Sequence, residues 1–315
     1  TPQAVFSNSD HLQTSTAWVA DMLGLPAKPW RICYDTKNKF RMRQRLEKLQ
    51  LPTVWNRIVS AQAPVDPNWP FPLVFKPIQG VASMDVVRMD TPDQLEKHLS
   101  GLNPSQSVLL EALMDGPLVT LETLGDGTQL HAIGGFDVSL SKPPYFVETS
   151  AHWNGPICTE WRAHMLRTVE QFGVGLGACH SEFIITPQGP TLVEINYRSI
   201  GDDREFLLNQ LVEDGWFSSI LKAHLGQVIQ SVPIKPSCAH IEYLVAPHAG
   251  TLKVAPQIPF DNAMHYRAIK QQGEVINISH SNKDYIGVLT FQANTDDELQ
   301  RLRTQAQQMH PWSIQ

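Results

Sequence analysis

Cysteine is scarce in this 315-residue chain, which has four, and no two of them form a C-x-x-C pair. That spacing excludes the dense frameworks of small disulfide-stabilised proteins and the usual zinc-binding patterns. We therefore expect Cys33, Cys158, Cys179 and Cys238 to be free, buried thiols, and we expect a reducing, cytoplasmic location.

Long apolar runs and basic clusters are also missing. No stretch approaches the roughly 20 apolar residues that span a bilayer, so we expect no membrane partner. The first residues lack the basic-then-apolar pattern of a secretory signal. Lys and Arg total 25 against 31 Asp and Glu, with no basic run, which argues against nucleic acid as a partner.

What remains is a globular composition, with 42% hydrophobic and 18% charged residues, and enough length for two or three domains. Strand and helix patterns alternate along the chain, which predicts an α+β or α/β fold. Prolines concentrated before residue 73 mark 59–72 as a linker or hinge. We predict helices over about residues 12–23, 36–49, 161–172 and 204–225, with two more starting at capping boxes near 91 and 295.

The most informative segment is a predicted β-hairpin around a Pro-Gln-Gly turn at 187–189, where glycine suits a positive φ. A three-residue loop would place Glu182 opposite Glu194, and strand alternation puts Glu194, Asn196 and Arg198 on one face. Two carboxylates about 5 Å apart among apolar residues either share a proton or bind a cation. Two Glu and an Asn carbonyl oxygen suit Mg²⁺, although a hairpin face open to solvent is the alternative.

The spacing Glu-x11-Glu-x-Asn-x-Arg resembles the signature of the ATP-grasp superfamily. In that family the two Glu and the Asn bind one or two Mg²⁺ ions bridging the ATP phosphates, with Mn²⁺ as an alternative ion. The resemblance implies that Glu182, Glu194 and Asn196 are the metal ligands. It also implies that Arg198 is the catalytic residue, facing the reacting phosphoryl group or carboxylate. Tyr197 departs from the pattern, since the family often has proline there.

Three earlier segments resemble the nucleotide-binding parts of the same family, in the same order. Asn-Lys-Phe-Arg-Met-Arg at 38–43 and Phe-Lys-Pro at 75–77 resemble segments whose lysines contact the phosphates. The run 109–116 resembles the hinge that reads the adenine amino group. Residues 79–86 stand where the family has a glycine-rich phosphate loop, although only Gly80 is a glycine here. The implied ATP-binding residues are Lys39, Lys76, Ser83, Glu111, Ala112, Leu113 and Met114.

The pattern assigns no residue to the ribose. Some relatives have an acidic residue seven positions after the hinge glutamate, and here that position is Leu118. Asp115 and Glu122 are the alternative candidates.

The resemblance also implies a domain order and an α+β or α/β ATP-grasp fold with a small lid. The expected order is 1–34, the end of an N-terminal substrate domain whose earlier part is absent; 35–70, a linker helix and hinge; 71–115, the lid; 116–228, the metal and catalytic subdomain; and 229–315, a C-terminal α+β region.

The activity implied is that of a carboxylate–amine ligase working through an acyl-phosphate, as in the formation of dipeptides, peptide antibiotics or siderophores. The partners would be a small carboxylic acid and an amine or amino acid, with a homodimer as an open alternative. Tyr145, Glu148 and His152 are candidates to border the substrate. A kinase or carboxylase on the same scaffold, and a catalytically silent nucleotide-binding module, are the alternative functions.

Overall fold

The computed structural model describes residues 1–256, 263–309 and 311–315, so 257–262 and 310 of the predicted C-terminal region lie outside it. The helices of the described residues are α1 (Gln13–Met22), α2 (Trp30–Lys37), α3 (Lys39–Lys48), α4 (Pro92–Ser100), α5 (Pro156–Phe172), α6 (Arg204–Leu211), α7 (Trp216–His224) and α8 (Asp296–Met309). Within the same residues, no helix combines the length and the apolar character needed to cross a bilayer.

Strands and helices are mixed along the described residues, as predicted. They are β1 (Asn56–Ser60), β2 (Leu73–Pro77), β3 (Val87–Met89), β4 (Ser107–Ala112), β5 (Leu118–Gly125), β6 (Leu130–Gly134), β7 (Phe136–Leu140), β8 (Glu148–Trp153), β9 (Gly177–Thr186), β10 (Gly189–Asn196), β11 (Cys238–Leu244), β12 (Gly250–Val254), β13 (Met264–Ala268), β14 (Val275–Ile276), β15 (Gly287–Ala293) and β16 (Ser313–Ile314).

A small antiparallel sheet in the order β1-β4-β2-β3 forms the lid sheet. Its buried side chains, including Leu73, Phe75 and Leu110, pack with Leu95 of α4. The linker predicted over 35–70 is wrong at Asn56–Ser60, because this segment pairs with β4 as an edge strand of the lid sheet. Edge strands are half exposed and often polar, so their sequences carry a weak strand pattern.

Two predicted helices are each broken into a pair. The helix expected over 36–49 is interrupted at Asn38, which is extended (φ −108°, ψ 109°) and caps α3 by accepting a hydrogen bond from the Arg41 N–H at 3.0 Å. The helix expected over 204–225 is interrupted before Gly215, whose φ is +80°. The break at Asn38 starts α3 at Lys39 and so fixes the position of that lysine.

The larger sheet runs β10-β9-β5-β7-β8-β11-β15-β13, with β6 also paired to β5. One face is covered by α6 and α7, where Trp216 is fully buried, and the other by α2, α3 and α5. Because β11, β15 and β13 continue this sheet, the predicted boundary at 228/229 does not separate two sheets. Beyond it, β14-β12-β16 form a small third sheet, and α8 packs on β15.

The β9–β10 hairpin pairs Glu194 with Glu182, as predicted, but by a different route. Gly189 pairs with Thr186, so two residues connect the strands instead of three, which alone would shift the pairing by one position. A β-bulge between Leu192 and Glu194 restores it. Glu182, Glu194 and Asn196 therefore share one face of the sheet.

Candidate functional site

A cavity of about 540 Å³ lies between the lid sheet and the larger sheet. Its walls come from β2, β4, the loop that follows β2, the β9–β10 hairpin and the segment after β10. The predicted site residues that line it are Lys39, Lys76, Ser83, Glu111, Ala112, Leu113, Met114, Glu182, Glu194, Asn196 and Arg198. Residues far apart in the sequence thus meet at one place, which is the size of a small-molecule site.

Lys39 connects the start of α3 to the hairpin. Its ammonium donates to Glu194 Oε1 at 2.7 Å and to the Gly80 carbonyl at 3.2 Å. The Lys39 N–H also donates to the Ile78 carbonyl at 3.0 Å, so the loop after β2 is held against the body of the protein. The Lys39 ammonium therefore lies beside one of the predicted metal-binding carboxylates.

Behind Glu182 lies a buried histidine. His180 Nδ1 is 2.7 Å from Glu122 Oε1, and its Nε2 is 3.3 Å from Glu182 Oε1. Burial alone would lower the pKa of His180, but the charges and hydrogen bonds of the two carboxylates outweigh it and raise the pKa to about 9. Burial would raise the pKa of Glu182, but the hydrogen bond and the charge of His180 outweigh burial and lower that pKa. Of the two ribose candidates, Glu122 is bonded to His180 and does not line the cavity, whereas Asp115 lines it.

The hairpin face fits a hard divalent cation. Glu182 lies beside His180, Glu194 lies 2.7 Å from the Lys39 ammonium, and Asn196 adds an amide oxygen on the same face. Among the described residues, no group of three or more His, Cys, Asp and Glu side chains has the geometry of a metal site. Two carboxylates without a complete protein cage match Mg²⁺, which commonly takes its other ligands from phosphate and water.

The lid side carries a fully buried ion triad. Glu111 accepts two hydrogen bonds from Arg43, at 2.8 and 2.9 Å, and lies 2.7 Å from the Lys76 ammonium. Burial would raise the pKa of Glu111, but Lys76 and Arg43 reverse this and lower it to about 2. Arg43 also donates to the Leu192 carbonyl at 2.6 Å, so it connects the lid sheet to β10. Sequence reasoning missed this role of Arg43, although it stands in the segment that resembles the family.

The hinge residues use several of their polar groups within the protein. Both carboxylate oxygens of Glu111 are bonded to cations. The Ala112 N–H donates to the Trp55 carbonyl at 2.9 Å and the Leu113 N–H to the Pro72 carbonyl at 3.0 Å. Glu111 thus holds Lys76 in place, and contact of its carboxylate with an adenine would require it to share a bonded oxygen.

Arg198 is held by the segment that precedes α1. Its Nε and Nη2 donate to the two carboxylate oxygens of Asp10, at 2.9 and 2.8 Å. Asn8 Oδ1 accepts from the next backbone N–H, that of Ser199, at 3.1 Å. A two-point pair of this kind fixes the plane of a guanidinium group as well as its position. Sequence reasoning missed Asp10 because 188 residues separate it from its partner.

The cavity wall also holds another buried ion pair. Arg204 Nη2 is 2.8 Å from Glu148 Oε2. Burial raises the pKa of Glu148, and Arg204 only partly opposes this. Tyr145 and Glu148 line the cavity, but His152 does not. The side chain of His152 lies on β8, with its ring 5.7 Å from that of His240.

Comparison with known proteins relates this geometry to solved structures. No protein-family model matches the chain. A curated protein of Sinorhizobium fredii, "Uncharacterized protein y4rH", is 26% identical over 229 residues, covering 68% of this chain and 47% of that protein. The chain therefore spans about half the length of this relative.

Solved structures match nearly the whole chain. An L-amino acid ligase from Bacillus licheniformis superposes with a TM-score of 0.83 at 18% identity, covering 99% of this chain and 82% of that one. A phosphoribosylglycinamide synthetase from Anaerococcus prevotii gives 0.70 at 11% identity, covering 98% and 81%. A biotin carboxylase from Campylobacter jejuni, solved as a β,γ-ATP complex, gives 0.68 at 12%, covering 96% and 74%. The chain has the ATP-grasp fold, as its signature predicted.

Proposed function

We propose that this chain is an ATP- and Mg²⁺-dependent ligase that joins a carboxylate to an amine and releases ADP and phosphate. The observation that carries the proposal is the convergence on one cavity of Lys39, Lys76, Arg198 and the Glu182–Glu194 pair. Lysines, an arginine and two paired carboxylates are the groups that transfer of a phosphoryl group requires.

The proposed phosphate end lies where the lid sheet meets the hairpin. Lys39 and Lys76 would offset the negative charge of the triphosphate, and Glu182, Glu194 and Asn196 would hold Mg²⁺. When bound there, Mg²⁺ would neutralise the charge that develops on the phosphoryl group of ATP. Since Lys39 already pairs with Glu194, the lysine would shift its ammonium from the carboxylate towards phosphate when the metal binds.

In the proposed reaction, a carboxylate oxygen of the acid attacks the γ-phosphorus, and the bond to the ADP oxygen breaks. Arg198 would stabilise the charge on the transferring group from the position that Asp10 gives it. The amine nitrogen then attacks the acyl carbon, phosphate leaves and the amine loses a proton. Contacts between lid and body, such as the Arg88 N–H to the Pro144 carbonyl at 3.0 Å, would limit hydrolysis by water.

The acid and the amine are expected to meet beside the Glu148–Arg204 pair, which lines the cavity. The similarity to an L-amino acid ligase favours amino acids as the first substrates to test. Products of the peptide, peptide-antibiotic or siderophore type would follow from such substrates.

The test is release of ADP and phosphate from Mg²⁺·ATP, with carboxylic acids and amines supplied singly and in pairs and the products identified by mass spectrometry. We expect full turnover only with a pair, with formation of an amide. Glu194→Gln, which removes one metal-binding charge, should reduce turnover at least about 100-fold. Glu160→Gln, an exposed change on α5, is the matched control and should retain activity.

Other outcomes would identify the alternatives. A phosphorylated product that forms without any amine would indicate a kinase, and dependence on bicarbonate would indicate a carboxylase. ATP binding without turnover in any pair would support a silent nucleotide-binding module. Equal activity of Glu194→Gln and the intact protein would contradict the proposed metal site.

A further inference from the structure

The loop that follows β2 has an unusual backbone. Ala82, Ser83 and Asp85 all have positive φ, at 57°, 53° and 57°, although none of them is glycine. The Met84 N–H donates to the Val81 carbonyl and the Val86 N–H to the Ser83 carbonyl, both at 3.2 Å. Non-glycine residues adopt this conformation at a cost, so the surroundings must hold it. Ser83 and its neighbours line the cavity at the proposed phosphate end.

Asn282, from the distant 281–284 turn, contacts this loop. Its N–H donates to the Ala82 carbonyl at 3.0 Å. Its side chain contacts the start of β8: Oδ1 accepts from the Glu148 N–H at 3.0 Å, and Nδ2 donates to Glu148 Oε1 at 3.4 Å. Asn282 is buried and lines the cavity. One residue therefore joins the loop after β2 to the buried carboxyl group of Glu148.

The turn that presents Asn282 is itself fixed. Asp284 Oδ2 accepts from the Ser281 hydroxyl at 2.8 Å and from the Ser281 N–H at 2.9 Å. The same oxygen accepts from the His280 N–H at 3.1 Å. The turn is thus built to hold the Asn282 backbone N–H towards Ala82.

We infer that Asn282 is a positioning residue that holds the 80–86 loop closed over the cavity and couples that closure to Glu148. The kinetic part of this inference rests on the proposed ligase function, whereas the part that concerns the loop does not. The amide side chain offers Glu148 an acceptor and a donor at once without adding charge beside its carboxyl group. Alanine would keep the backbone N–H that bonds Ala82 but would lose both side-chain contacts with Glu148. Aspartate would lose the donor and add a negative charge.

Hydrogen exchange measured by mass spectrometry tests the structural part without any substrate. In Asn282→Ala we expect amide exchange in 80–88 to increase at least about fivefold, while 118–125, in the larger sheet, stays unchanged. Asn277→Ala removes an exposed asparagine of the same connection and is the matched control, so its exchange should equal that of the intact protein. Unchanged exchange at 80–88 in a folded Asn282→Ala, or an equal increase in Asn277→Ala, would overturn the inference.

The kinetic test compares ADP released with amide formed. A loop that opens should admit water, so Asn282→Ala should raise the ratio of ADP to amide about threefold or more and raise the KM for ATP. Asn282→Asp keeps the acceptor oxygen, but it should still raise the ratio of ADP to amide. If the role of Asn282 were purely structural, Asn282→Asp would behave as the intact protein does. If exchange increases but no acid–amine pair reacts even with the intact protein, the loop inference stands and the proposed function fails.

Discussion

Arg198→Ala is expected to lower the rate of amide formation about 1,000-fold while changing the affinity for Mg²⁺·ATP only a few-fold. The guanidinium lines the same cavity as the proposed metal-binding carboxylates and is fixed by two hydrogen bonds to Asp10. Fixed positive charge at a transferring phosphoryl group contributes far more to the transition state than to ground-state binding. The measurement is kcat from coupled ADP release, with the Kd for Mg²⁺·ATP from calorimetry.

The controls for this prediction separate charge from position. Arg301→Ala removes an exposed arginine of α8 and should have no effect on kcat. Asp10→Asn keeps hydrogen-bond acceptance at only one oxygen, so we expect an intermediate loss of about tenfold, with Arg198 still present but less well oriented. If Arg198→Ala retained kcat within tenfold, Arg198 would not be the catalytic residue, and its role would be limited to binding Asp10.

The largest expected effect on stability comes from Glu111→Gln. This change leaves Arg43 and Lys76 buried without the carboxylate that neutralises them. Breaking a buried ion pair in this way typically costs about 3–5 kcal/mol, because the remaining charges stay uncompensated. We expect a loss of that size in the free energy of unfolding, measured by urea denaturation. Lid-sheet amides should also exchange faster with solvent.

The pKa of Glu111 predicts how the loss of stability in Glu111→Gln depends on pH. The pKa of Glu111 is lowered from 4.5 to about 2 in the folded protein. A lowered pKa stabilises the fold at pH values above 4.5, and the contribution is lost as the pH falls from 4.5 towards 2. That shift corresponds to about 3 kcal/mol. The difference in stability between the intact protein and Glu111→Gln should therefore be constant near neutral pH and should narrow below about pH 4.5.

Glu160→Gln, at an exposed position, is the matched control for both measurements. It should change the free energy of unfolding by less than about 0.5 kcal/mol at any pH. If Glu111→Gln lowered the free energy of unfolding by less than about 1 kcal/mol, Arg43 and Lys76 would have found other partners. The same would follow if the difference in stability from the intact protein did not narrow in acid.

The sequence by itself predicted the fold. It also identified residues that line one cavity. Local signals were sufficient where each residue acts through its neighbours along the chain, as in the hairpin carrying Glu182, Glu194 and Asn196. The alternation of a strand and the position of a turn follow from local sterics. Even there, the correct pairing depended on a bulge at 192–194 that the sequence did not reveal.

Only the tertiary structure decided which charges neutralise each other. Asp10 and Arg198, Arg43 and Glu111, and Arg204 and Glu148 are each separated by dozens to nearly two hundred residues. No periodicity links such residues, because their contact depends on the packing of whole elements. The same holds for Asn282, which meets the 80–86 loop only because the larger sheet extends into the C-terminal strands. Local backbone and side-chain preferences determine which segments form strands and helices. The tertiary structure determines which charged side chains pair, because a buried charge without a partner costs free energy.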